Sequence, residues 1–375
     1  LFWTEFGHVA KAEDFILPMT LDQWSEFFST WQDRVGFGSS PDDRLPAVFF
    51  LFWPALFRAL GASIELAQRL QFALWFTATG LSMYVLMRQL TRSQIALAGA
   101  SLVYMFNFYQ EPVWQGVNIA NLSALVALPL ALAVTIAFTR NGRLLVGAAL
   151  LALITVIGSG VGANPPMALI AMIPVPLYMI MYMIHRLATG RAPQASRMLV
   201  LAGVAVVLIV AVNAYWLIPQ GVGLASGGPG QNFIGRTKSD AFDQLVNLSK
   251  FTGPLNVWRL QGAWTWYDGF LGVPYVPYAA TYLLNPFAII GSFGIPFAAL
   301  LGLLATRSRK FIFLGVVGML GLVLSMGVNG PFGLAYGWLW EHIPLFWVVR
   351  SPWYKAAALA MLGLAPLAAI GIDTS

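Results

Sequence analysis

The chain is 375 residues long, 58% hydrophobic and only 10% charged, with a formal net charge of +6 from 21 Lys plus Arg against 15 Asp plus Glu. A soluble domain carries about 25% charged residues, so this chain lacks the side chains to cover itself in water. Soluble enzyme, nucleic-acid binder and disordered scaffold are poor readings, and an all-α polytopic membrane protein is the expected fold class. Cysteine is absent, which removes disulfides, thiolate nucleophiles and cysteine metal sites.

Residues 1–65 come first, as a non-cytoplasmic loop carrying amphipathic or interfacial helices. Its opening, Leu1-Phe2-Trp3, has neither an initiator Met nor a charged leader region, which leaves room for an upstream helix. Eight carboxylates fall within 1–44: Glu5, Glu13, Asp14, Asp22, Glu26, Asp33, Asp42 and Asp43. Thr20 precedes a Trp/Phe-rich run as a helix cap, and Gly36–Pro41 reads as a loop. Leu45–Leu60 is apolar but short, is interrupted by Pro54 and ends near Arg58. It reads as an interfacial or re-entrant helix, tolerable in a bilayer if protein covers its backbone.

Nine apolar segments then approach the roughly 20 residues that a bilayer crossing needs: 66–87, 92–109, 119–139, 144–162, 166–184, 198–218, 278–305, 311–328 and 353–372. They divide the chain into a six-span bundle over 66–218, an outer loop over 219–277, two spans over 278–328, an outer loop with a short helix over 329–352, and a last span over 353–372. Asn285-Pro286 and Gly291 interrupt the overlong 278–305 segment, so a kink or a short preceding surface helix is expected there. Loops 88–91, 140–143, 185–197 and 306–310 contain Arg and Lys and no carboxylate, whereas 14 of the 15 acids fall on the opposite face. This is a positive-inside pattern. It predicts a multi-pass cell-membrane protein, of the prokaryotic inner membrane, with its large loops outside the cytoplasm.

The acids and cations of that outer face are the candidates for chemistry. Glu13-Asp14 could take a proton from an acceptor hydroxyl, or Asp14 could hold a divalent ion (Mg or Mn) at a lipid phosphate; solvated acids are the bland alternative. Asp42, Asp43 and Arg44 form either a local ion pair or a second acidic group in the same cleft. Between two spans, Asn107 to Asn118 gathers Glu111, amides and the rings of Tyr109 and Trp114, as a sugar or polar headgroup would require; the alternative is an aromatic belt with Asn107 and Asn118 as helix caps. Trp264, Trp266 and Asp268 form either a sugar-stacking platform or an interfacial anchor. Glu341 and His342 end the short helix of the last loop. Arg350 and Lys355 stand at the mouth of the final span, where a guanidinium and an ammonium suit a phosphate unless they merely snorkel to headgroups. The only histidines, His8, His185 and His342, are too dispersed for a zinc site, and no nucleotide-binding phosphate loop is present.

The acid pair in the first outer segment, Thr30-Trp31 through Gly36-Phe37-Gly38-Ser39-Ser40, Leu45-Pro46, Tyr104-Met105-Phe106-Asn107-Phe108 and the ending Phe346-Trp347-Val348-Val349-Arg350-Ser351-Pro352-Trp353-Tyr354-Lys355 together resemble GT-C-type membrane glycosyltransferases. The AftD-like arabinofuranosyltransferases and the YfhO-like membrane proteins are the groups it is most similar to. The resemblance implies a GT-C-like transmembrane bundle with interfacial helices in the first outer loop. It implies transfer of a glycosyl group from a polyprenyl-phosphate-linked donor to a cell-envelope glycan or lipid acceptor. Asp14 or Glu13 matches the family's catalytic acid, and Arg350 and Lys355 its late cations. The chain departs from the family in lacking the first span before the acidic loop and the large soluble C-terminal region. A non-catalytic subunit packed against other membrane subunits is the first rival reading. A lipid or polysaccharide transporter is the second, weakened because 119–139, 144–162 and 166–184 contain no charged residue.

Overall fold

The computed structural model describes residues 8–10, 20–29, 44–141, 143–226, 238–267, 273–276, 278–344 and 346–374, and among them every regular element is helical. Helices occupy all nine apolar segments, and among the described residues six are long and apolar enough to cross a membrane: Ile64–Arg88, Ile119–Thr139, Pro165–Ala188, Ala192–Val222, Pro286–Ala305 and Pro352–Thr374. The chain is a helical membrane protein. The other three segments are shorter than expected, with helices of 12 residues at Gln94–Met105, 14 at Leu144–Ile157 and 17 at Arg309–Ser325. At about 1.5 Å per residue these fall short of a hydrocarbon core of about 30 Å.

The chain divides into two compact units, Leu1–Gln89 with Gly116–Gly235, and Leu90–Gln115 with Arg236–Ser375. In the first unit, Ile64–Arg88 packs against Val48–Ala59 and Ile119–Asn141, and Leu144–Ile157 packs against Ala192–Ser226. Two prolines break hydrogen bonds here, and the neighbouring helix brings a polar side chain to each freed carbonyl. Pro54 has no N–H for the carbonyl of Phe50, four residues back, and the buried side-chain amide of Gln71 donates to that oxygen at 2.8 Å. Pro129 leaves the carbonyl of Leu125 in the same position, and Ser82 Oγ lies 3.3 Å from it, its single proton shared with the Thr79 carbonyl at 2.7 Å. Both donors lie on Ile64–Arg88. Protein thus covers the backbone of the Leu45–Ala59 segment, where Phe50 and Ala55 are fully buried. Ser159 Oγ adds a 2.6 Å bond to the Pro46 carbonyl. Asn213, buried within Ala192–Ser226, is held by Thr155 at 2.8 Å and Trp216 at 2.9 Å.

In the second unit the last helix, Pro352–Thr374, is the core. It lies against Gly294–Ala305, Arg309–Ser325 and Gln94–Met105, and it is buried along almost its whole length. Its sequence is mostly Ala, Gly and Leu, which lets backbones meet directly, as small residues do between membrane helices. A Cβ added at Gly321 would strike the backbone nitrogen of Ala360, and one at Gly363 the carbonyl of Leu314. Ser93 caps Gln94–Met105 by accepting from Ala96 N, and its hydroxyl donates to Asp373 at 2.7 Å, fixing the end of the last helix. The overlong 278–305 segment resolves into Ala279–Leu284, Pro286–Ser292 and Gly294–Ala305, with Asn285 as a cap accepting from Phe287 and Ala288.

Candidate functional site

The site grows out of a single asparagine. Asn107 closes Gln94–Met105 by donating its side-chain amide to the carbonyls of Val103 and Tyr104, at 3.0 and 3.1 Å. Its Oδ1 accepts from the amides of Tyr109 and Gln110, at 3.0 and 3.2 Å, and so starts the short helix Gln110–Gln115. Capping at both ends ties the two helices at a fixed angle. Glu111 is set in the first turn of the second helix.

Around Glu111 the second unit assembles aromatic rings from three further segments. The Tyr278 hydroxyl donates to Glu111 Oε1 at 2.9 Å. Tyr278, Tyr282, Trp266 and Phe108 meet edge to face with centroids 5.5 to 6.3 Å apart, an arrangement that favours aromatic pairs. Trp264 meets Tyr275 in the same manner at 5.5 Å. Burial pushes the Glu111 carboxyl above its ordinary range, although the Tyr278 hydroxyl beside it pulls the other way. Burial, reinforced by the Glu111 carboxylate, drives the Tyr278 phenol well above its usual value, so it remains a donor.

The first turn of Pro352–Thr374 closes this cluster. Tyr109 packs edge-on against Trp353 at 6.0 Å and donates its hydroxyl to the Tyr354 carbonyl at 3.1 Å. The Tyr354 hydroxyl meets Thr265 Oγ1 at 3.3 Å. Gly262 lies flat on Trp353, where a Cβ would come within 2.7 Å of the indole ring. Just before it, Leu260 adopts a φ of 59°, a backbone strain uncommon outside glycine. Gln261 follows, wholly buried, and neither its amide nitrogen nor its oxygen has a hydrogen-bond partner. Behind this loop Arg259 donates to Ser292 at 2.8 Å and holds down the rise of the nearby Tyr267 phenol, which burial pushes up to about 12.

The structure thus brings Glu111, Trp264 and Trp266 together, with Lys355 buried one turn into the adjoining helix and Arg350 half-buried just before it. The remaining candidates fall elsewhere or outside the described residues. Glu13, Asp14, Asp42, Asp43 and Asp268 lie outside them. Arg44 starts the turn Leu45–Ala47 in the first unit. Asn118 is a helix cap there, accepting from Asn121 N at 3.2 Å. Glu341 and His342 end Gly333–His342, a helix that packs through Tyr336 and Trp340 on Ala241 and Leu245. His342 stacks on Trp338 at 4.8 Å. Among the described residues no group of three His, Asp or Glu side chains is placed to hold a metal ion.

The chain matches no family model, no curated protein and no solved structure.

The cluster is therefore read from its own chemistry. It offers one carboxyl of raised proton affinity, several ring faces and the hydroxyls of Tyr278, Tyr354 and Thr265. Sequence reasoning missed Tyr278, Tyr282 and Gln261. The tyrosines stand four apart, the spacing that puts two side chains on one helical face, but they sit at the edge of a segment that reads as a membrane span. Gln261 carries no pattern of its own.

Proposed function

We propose that this chain transfers a glycosyl group from a polyprenyl-phosphate-linked donor to a cell-envelope glycan or lipid acceptor, and that the Glu111 cluster holds the sugar. The observation that supports this reading is the half-buried carboxyl of Glu111, hydrogen-bonded to Tyr278 and walled by Trp266 and Tyr282. Sugars are bound by ring faces against their C–H surfaces and by polar groups against their hydroxyls, and this cluster supplies both. In the transfer, an acceptor hydroxyl oxygen bonds to the anomeric carbon and the bond from that carbon to the donor phosphate breaks. The hydroxyl proton passes to a carboxylate, and polyprenyl phosphate leaves. Arg350 and Lys355 would steady the charge that grows on the leaving phosphate. The resemblance assigns the base, and a place for a divalent cation, to Asp14 or Glu13, which lie outside the described residues.

The test is transfer from a defined polyprenyl-phosphate sugar by the purified full chain in lipid. Glu111→Gln is expected to raise the KM for the sugar about tenfold, the size of a lost charge-assisted hydrogen bond, and Arg350→Gln to weaken donor use. Asp14→Asn and Glu13→Gln belong in the same assay. Transfer unchanged in all four variants would remove the assigned roles, and no transfer by the wild type would leave a non-catalytic subunit.

A further inference from the structure

The first unit contains a cavity of about 270 Å³ lined by Thr139, Leu144, Tyr182, Arg186, Gln194, Arg197, Met198 and Leu201. It lies where Ile119–Asn141, Pro174–Ala188 and Ala192–Ser226 end or begin, at the loops rich in arginine. We propose that this cavity binds the phosphate of an anionic membrane lipid.

Arginines at helix ends are ordinary in membrane proteins, but Arg186 is not placed as a solvated one. Its guanidinium lies over the Tyr182 ring at 4.7 Å, and the Tyr182 hydroxyl is itself held by the Thr139 carbonyl at 3.4 Å. The Arg186 Nε–H is buried and has no acceptor. A buried donor without a partner costs free energy, and the missing acceptor here is one that the cavity can admit. Nε–H together with a terminal N–H forms the fork that takes two oxygens of a phosphate. Arg197 adds a second guanidinium and Gln194 an amide on the same wall. No carboxylate occurs anywhere between Glu111 and Asp240, so no acid of that stretch competes for these cations.

The size and the surroundings point to a lipid. Pockets for drug-sized molecules begin near ~300 Å³, so this one suits a headgroup rather than a larger ligand. The neighbouring side chains Leu145 and Leu187 are 71% and 58% exposed, as acyl chains alongside would need. Basic pockets between membrane helices bind anionic headgroups in this way.

The experiment is native mass spectrometry of the full chain released from micelles containing equal phosphatidylglycerol and phosphatidylcholine. The wild type should retain phosphatidylglycerol in preference. Arg186→Gln with Arg197→Gln should cut that preference about tenfold or more, the effect of losing charge-assisted bonds. Arg186→Lys, which keeps the charge and loses the fork, should lose most of it too. Arg191→Gln removes an exposed cation outside the cavity and should leave it intact. An equal fall in Arg191→Gln, or no preference in the wild type, would overturn the site. Competition by inorganic phosphate with no retained lipid would overturn the lipid assignment.

Discussion

Gln71 donates its side-chain amide to the Phe50 carbonyl at 2.8 Å, and that oxygen is the one Pro54 deprives of its helical partner. Apolar surroundings give the orphaned carbonyl no water to turn to, so the repair has to come from protein. Gln71→Leu removes the donor and should destabilise the chain by about 1 kcal/mol, less than a full orphan costs because Gln71 Oε1 is itself buried without a partner. In a Pro54→Ala background the backbone N–H of residue 54 can serve Phe50, and Gln71→Leu should then be neutral or mildly stabilising. Equilibrium unfolding in mixed micelles of the two single variants and the double variant measures this coupling. Additive effects would mean the two residues do not share that oxygen.

A second contrast lies among the glycines. Gly321 and Gly363 meet backbone atoms of the facing helix, whereas a Cβ at Gly337 would meet nothing within 4 Å. Gly321→Ala and Gly363→Ala should each cost about 1–3 kcal/mol by forcing the last helix away from its neighbours. Gly337→Ala, in the helix Gly333–His342, should add up to about 1 kcal/mol by reducing backbone freedom in the unfolded chain. Thermal unfolding of the three variants should therefore shift in opposite directions.

How far this was legible in the sequence depends on the kind of signal. Hydropathy locates the helices well, because a run of Leu, Val and Ala is a local property. It overestimates their lengths at 92–109, where Phe106 and Phe108 keep the run apolar while Asn107 folds back to cap and end the helix. It also gives no hint that Pro352–Thr374 is the buried centre of its unit, since an Ala/Gly-rich span facing protein and one facing lipid read alike. Of the site, Glu111, Trp264 and Trp266 stand out as polar or aromatic residues concentrated in the loops between apolar segments. Tyr278 does not, because its role exists only through a carboxylate 167 positions away.

Gln261 separates a structural role from a ligand-binding one. Its buried amide satisfies neither its donors nor its acceptor within the protein, and such a group ordinarily costs stability. Gln261→Leu should raise the unfolding midpoint. If the amide serves the bound sugar beside Trp353, the same variant should bind substrate more weakly despite its greater stability. A loss of stability in Gln261→Leu would show that the amide is satisfied in the folded chain.

The Glu111 carboxyl carries a pH signature whose sign follows from burial. Its proton affinity is raised from an ordinary value of 4.5, so the folded chain holds this proton at pH values where the unfolded chain has released it. Between those two values the native state binds more protons, and stability falls as pH rises. The destabilisation is absent below pH 4.5, grows as pH climbs toward the raised value, and is complete above it. Glu111→Gln has no proton to lose, so the difference in unfolding free energy between wild type and variant should change across that window and level off on either side. Tyr278→Phe removes a donor that favours the ionised form, which should raise the carboxyl further and extend the window to higher pH. Stability curves for the wild type and Glu111→Gln that run parallel from pH 4 to pH 8 would place Glu111 in water, and the cluster would then have no buried acid to offer a substrate.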